Sequence, residues 1–182
     1  MLEKRISGQT VFKGHVFEVG VDRVELENGR RAEREIVRHP GGVGILAVDA
    51  DGRAVLVRQF RYAAGREMLE IPAGRLERGE DPRDAALREL KEETGYSAGE
   101  CVPLGGIIPT GGYCSERIYL FLARFLTPGT PSPDEGEFVE TVPMPLDEVV
   151  KEITEMRIDD AKTIAAVFRA RAVLGSHDIA GV

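Results

Sequence analysis

The chain has 182 residues, 42% of them hydrophobic and 30% charged, with a formal net charge of -7 at pH 7. That length suits one ordinary globular core with a small appended subdomain, and the acidic balance argues against a general nucleic-acid surface, which would be basic. No apolar run approaches the roughly 18 residues of a membrane span, and the N-terminal MLEKRISGQT lacks the apolar core of a signal peptide, so a cytoplasmic protein is expected.

Residues 1–40 read as an N-terminal β-sheet subdomain. VFKGHVFEVGVDRVEL alternates and is rich in Val and Phe, and the polar turn ENGR leads into RRAEREIVRH, which gives a three-stranded antiparallel piece. So small a sheet has little core of its own and must pack against the main domain or a second copy of the chain; a homodimer is expected. His15 and His39 read as ordinary polar surface or turn residues.

A main domain over 41–175 follows. GGVGILAVDADGRAVLVRQFRYAAG is a hairpin of two buried strands turning at Asp49 to Gly52, with Arg58 and Arg61 near the end of the second strand. Met68 to Ile71 is a further strand, and Pro72, Ala73 and Gly74 break it into a loop.

The spacing then predicts a helix over Pro82 to Thr94, because Asp81 is a good N-cap, Pro82 suits the first helical position and Gly95 the left-handed residue after the last turn. Ala86, Leu87, Leu90 and Thr94 form a narrow apolar stripe, with Glu89, Glu92 and Glu93 stacked beside it. Like charges at this spacing repel, and the negative C-terminal half of a helix favours cations. A hard divalent cation such as Mg2+, which takes carboxylate oxygens, would relieve the crowding beside a phosphate-bearing substrate. The alternative is a solvated face on which Asp84, Arg88 and Glu92 form a charge ladder.

ECVPLGGIIPTGGYCSERIYLFLARFL reads as two strands around a Gly- and Pro-rich turn, and TPGTPSPDEGEFVETVPMPLDE begins as a mobile surface loop. Glu135-Gly136-Glu137 is flexible enough to swing a carboxylate toward a metal. PLDEVVKEITEM and DDAKTIAAVFRARAVL are amphipathic helices that cover the sheet, with Asp147 and Asp159 or Asp160 as cap candidates. Residues 176–182, including His177, read as a frayed tail. Cys101 and Cys114 are unpatterned and read as reduced thiols.

Gly74, Glu80, Arg88, Glu89, Leu90, Glu92, Glu93 and Gly95 stand at the spacing of a known signature, and the stretch resembles the Nudix hydrolase family residue for residue. Only Tyr96 stands where an aliphatic side chain is more common. The resemblance implies an α/β (α+β) Nudix fold, a mixed β-sheet sandwiched between α-helices, and hydrolysis of a nucleoside diphosphate linked to another group. It also implies that Glu89, Glu92, Glu93 and the backbone carbonyl of Ala73 hold Mg2+ or Mn2+, with Glu92 catalytic as well. Gly74, Glu80, Arg88 and Gly95 are then structural, Arg88 pairing with a carboxylate such as Glu80.

Pro109 to Glu116, reading PTGGYCSE, is similar to the loop that marks the ADP-ribose pyrophosphatase branch. Gly111 departs from it, standing where a proline is expected, which frees the backbone and keeps other nucleoside diphosphosugars open as substrates. This resemblance implies conversion of ADP-ribose to AMP and ribose 5-phosphate. Arg61 is then expected on the pyrophosphate, Gly112 at the substrate, Glu116 at the terminal ribose, Arg34 near the phosphates or base, and Val16 and Phe17 near the adenine. An N-terminal sheet exchanged across a homodimer belongs to the same pattern. Glu135 or Glu137 would supply the base or a further metal contact, and the sequence leaves open which. A noncatalytic domain that senses nucleotide sugars would have eroded glutamates, and all of them are present here.

Overall fold

The computed structural model describes residues 1–175, and the tail read at 176–182 lies outside them. The chain forms two compact units, Met1–Gly41 with Ile108–Arg117, and the remainder from Gly42.

In the first unit, β1 (Lys4–Lys13), β2 (Glu18–Glu25) and β3 (Arg31–Arg38) form a three-stranded antiparallel sheet in that order. The ENGR turn is closed by Leu26 and Arg30, with Gly29 at φ 76°. β1 is exposed along its length, including Ile6, Val11 and Phe12. The PTGGYCSE segment, read as a simple turn between strands, is part of this unit. The Val37 N–H donates to the Tyr113 carbonyl at 2.8 Å and the Ser115 N–H to the Val37 carbonyl at 2.9 Å, so the segment docks on β3. Of the two readings of His39, surface or turn, the structure gives the turn. Its side chain is only 11% exposed, and Nδ1 accepts from the Gly41 N–H at 3.1 Å.

The second unit is built on a seven-stranded sheet in the order β10-β5-β4-β9-β8, with β6 on β5 and β7 on β4. The strands are β4 (Gly42–Val48), β5 (Arg53–Arg61), β6 (Arg66–Glu70), β7 (Ala73–Arg75), β8 (Ser97–Ile107), β9 (Ile118–Thr127) and β10 (Val139–Pro145). β4 runs parallel to β9 and antiparallel to its other neighbours, so the sheet is mixed. Alternation along β4 serves both faces. Val43, Ile45 and Ala47 meet Ala85, Ala86 and Leu90 of α1 (Pro82–Thr94). Leu46 packs on the other side with Leu56, Leu120 and Leu122 against α2 (Leu146–Thr154) and α3 (Ala161–Gly175). The helices therefore sandwich the sheet, as the sequence resemblance implied.

Three local expectations are corrected. The β4–β5 hairpin pairs only at Ala47 with Val55 and Val48 with Ala54, then parts. Into the fork enters the bend at Ile71-Pro72, whose Pro72 carbonyl accepts from the Ile45 N–H at 2.9 Å. Consequently Ala73 and Gly74 are not loop residues but pair with Gly44 and Val43; proline, lacking an N–H, ends β6 without preventing the next pairing. Asp147 does not cap α2, which begins at Leu146 without a side-chain cap, and instead pairs with Arg171. Asp160, by contrast, does accept the Thr163 N–H at 2.9 Å at the start of α3.

Candidate active site

Helix α1 begins and ends where local chemistry places it. Asp81 accepts the Arg83 N–H at 2.9 Å, Pro82 opens the helix, and Gly95 takes the left-handed conformation at φ 78°. Gly95 also meets Gly129 backbone to backbone, where a Cβ on Gly95 would stand 2.6 Å from the Gly129 carbonyl oxygen. The loop after β9 is thereby held against the helix, and the Ser132 N–H donates to the Glu92 carbonyl at 2.8 Å.

The glutamates differ in environment. Glu93 is buried, 5% exposed, on the same face as Leu90 and Thr94 rather than beside them, and its Oε2 accepts the Ala73 N–H at 3.0 Å. Burial pushes its carboxyl up to about 8 against that hydrogen bond, and the charges of Glu89 and Glu137 add to the rise. Glu89 is also raised, by burial first and by the charges of Glu92 and Glu137, despite Arg88. Its carboxylate lies against Gly74, and the missing Cβ of that glycine permits the close approach. Glu92 is more exposed and accepts from Arg88 at 2.9 Å.

Arg88 organises this cluster. Nε and Nη2 donate to the two Glu80 oxygens at 2.9 and 3.1 Å, while Nη1 reaches Glu89 at 2.8 Å and Glu92. Glu80 in turn accepts the Glu77 N–H at 3.0 Å, which closes the loop before the helix. Among the described residues no three His, Cys, Asp or Glu side chains are gathered as a ready-built metal cage, because Glu89 and Glu92 turn toward Arg88. The donor chemistry nonetheless fits a hard divalent cation. Glu93, buried, and Glu89, partly buried, are neighbouring carboxylates that resist ionisation as they stand, and a cation beside them would offset the desolvation and repulsion that raise them.

Glu135 and Glu137 are both exposed in one turn, closed by the Glu137 N–H to the Asp134 carbonyl at 3.0 Å, and of the two the charge of Glu137 bears on Glu89 and Glu93. Arg61, at the end of β5, forks onto Glu70 with Nε and Nη2 at 2.9 and 2.8 Å. Glu70 is 1% exposed and also bonded by Lys162. Sequence reasoning missed Glu70 and Lys162; the signal for the first was a charge set between the apolar Leu69 and Ile71.

In the N-terminal unit, Arg34 is already held by Glu3 through two hydrogen bonds of 2.9 and 2.6 Å. Glu116 lies 3.6 Å from His39 Nδ1, and Gly112 has open space where a Cβ would stand. Val16 and Phe17 are half-exposed and line a pocket with His15 and Arg38.

A family model described as NUDIX domain matches residues 38–167. The chain belongs to the Nudix hydrolase family. Among relatives of this Nudix chain, the "ADP-ribose pyrophosphatase" of Bacillus subtilis (strain 168) is 41% identical over 167 residues, covering 91% of this chain and 90% of that protein. The "Methanol dehydrogenase activator" of Bacillus methanolicus is 44% identical over the same length, again covering 91% and 90%. A solved structure titled "Crystal structure of ADP compounds hydrolase" superposes with a TM-score of 0.84 at 25% identity, covering 97% of this chain and 96% of that one. The Nudix signature of the sequence is thus a folded unit here, a short strand laid beside the acidic helix, and the chain is a Nudix pyrophosphohydrolase. No helix among the described residues is long and apolar enough to cross a membrane.

Proposed function

We propose that this Nudix enzyme hydrolyses the pyrophosphate bond of ADP-ribose, releasing AMP and ribose 5-phosphate. The observation that carries the reading is the pair of carboxylates, partly buried Glu89 and buried Glu93, pressed against Gly74 and Ala73 of β7. Glu89, Glu92, Glu93 and the Ala73 carbonyl would hold Mg2+, or Mn2+ in its place; bound there, the cation offsets phosphate charge and lowers the pKa of water. Arg61 would grip nonbridging phosphate oxygens with the part of its guanidinium outside the Glu70 fork. Water adds to phosphorus as the bridging P–O bond breaks, and its proton passes to a loop carboxylate. Glu137 is favoured over Glu135 for that role, because its charge bears on Glu89 and Glu93.

Gly112, Glu116 and Arg34 are assigned to the substrate on the resemblance alone: Glu116 at the terminal ribose, Arg34 near the phosphates or base. The exposed Ile6, Val11 and Phe12 of β1 support a homodimer formed through residues 1–40, with 41–175 as the hydrolase domain in a cytoplasmic protein. A solution mass measurement checks the dimer.

The substrate is tested by following nucleoside monophosphate release from ADP-ribose, ADP-glucose, GDP-mannose, NADH and nucleoside triphosphates with Mg2+. The reading expects kcat/KM for ADP-ribose to exceed the others by about tenfold or more. Preference for another sugar would keep the site and overturn the substrate. The relative named as an activator favours a second reading, in which the chain acts on a dehydrogenase. Adding it to methanol dehydrogenase and following turnover separates the two.

A further inference from the structure

The first turn of α3 reaches into the bend between β6 and β7 by two routes. Lys162, buried with its side chain 10% exposed, bonds the Glu70 carboxylate and lies 3.0 Å from Asp160 Oδ1. Next to it, Thr163 Oγ1 accepts the Ile71 N–H at 2.9 Å and donates to Asp160 Oδ2 at 2.6 Å. One helical turn therefore fixes two consecutive residues, Glu70 by its side chain and Ile71 by its backbone, immediately before Pro72 and Ala73.

Glu70 has a second task. Its two oxygens take Nε and Nη2 of Arg61, which orients the guanidinium in one plane and leaves Nη1 outside the fork, on a side chain 40% exposed. An isolated Arg–Glu pair is neutral, so Glu70 alone would mute the charge that a phosphate needs from Arg61. A second cation on the same buried carboxylate changes that balance, because Lys162 competes for the Glu70 charge from the protein side. Asp160 balances Lys162 in turn and its charge also bears on Arg61, so what Lys162 adds is the placement of Glu70 under the guanidinium.

We propose that Lys162 is a positioning residue: by fixing the Glu70 carboxylate, it holds the Arg61 guanidinium in place for a substrate phosphate. This rests on the reading that Arg61 meets the pyrophosphate. Lys162 itself touches no substrate. Its effect belongs to binding, since Arg61 contacts phosphate before and during reaction alike, and it must vanish when Arg61 is removed.

The test is a double-mutant cycle with Lys162→Met, Arg61→Ala and their combination, measuring kcat and KM for ADP-ribose with Mg2+, with thermal melting of each variant to establish folding. Lys162→Gln, which keeps a polar chain, replaces Lys162→Met if the latter does not fold. The proposal expects Lys162→Met to raise KM about tenfold while kcat changes less than about threefold, and to add nothing when Arg61 is already alanine. Effects that multiply in the double variant, with Arg61→Ala itself defective, overturn the proposal and leave Arg61 at the phosphate. An Arg61→Ala variant with wild-type KM overturns the role of Arg61 and the proposal with it.

Discussion

The carboxylate of Glu89 rests on the backbone of Gly74, so closely that a Cβ on residue 74 would stand 1.8 Å from Oε1. The atom in the way is the end of a flexible side chain, and the fold can absorb the change by moving it. Gly74→Ala is therefore expected to cost only about 1–3 kcal/mol of stability, the usual range for overpacking. Activity suffers more, because Glu89 is displaced from its place beside Glu93; a loss on the order of a hundredfold in kcat/KM is expected. Thermal melting and AMP release on the same preparation check both halves, and a variant as active as wild type would show that the position of Glu89 is unimportant.

Arg88 serves Glu80, Glu89 and Glu92 together. Replacing it with Met leaves those carboxylates without their cation, and in the metal-free protein this should cost about 2–4 kcal/mol. Arg88→Lys should recover less than half, because a point charge cannot span Glu80 on one side and the two helix glutamates on the other. Urea denaturation of the three proteins measures the series.

Glu70 makes stability depend on acid pH. Burial by itself would raise its carboxyl, but the hydrogen bonds and charges of Arg61 and Lys162 prevail and hold it at about 2, against 4.5 unperturbed. The folded-state value lies below the unfolded one, so the stabilisation is fully present above about pH 4.5 and is lost as pH falls toward 2. The difference is worth about 3 kcal/mol. Glu70→Gln should accordingly flatten the stability profile between these pH values, as read by denaturant midpoints, and lower the plateau at neutral pH.

Much of the helix was legible in the sequence because its ends are set by local chemistry: Asp81, Pro82 and Gly95 specify start and stop without help from tertiary contacts. The Arg88–Glu80 pairing was legible too, as two members of one motif. The forked sheet was not. Nothing in the local pattern says that β4 and β5 part after two residue pairs, since that depends on where the Ile71-Pro72 bend inserts. Periodicity likewise put Glu93 beside the apolar stripe, and only packing against Ala73 shows that it is buried. The Glu70–Lys162 contact joins residues far apart in the chain and leaves no trace in spacing.

Glu93 is the residue on which the proposed chemistry turns, and the most direct measurement is AMP release from ADP-ribose by the wild-type chain and by Glu93→Gln, each with Mg2+ and with EDTA. The amide retains the shape, can still accept the Ala73 N–H and cannot ionise, so the variant should fold about as stably as metal-free wild type, in which burial already disfavours the charged form of Glu93. Turnover by the wild type that disappears with EDTA, and falls on the order of a hundredfold or more in the folded variant, is the predicted result. A Glu93→Gln protein as fast as wild type, or a wild type that binds ADP-ribose and releases no AMP with any divalent cation, would contradict it.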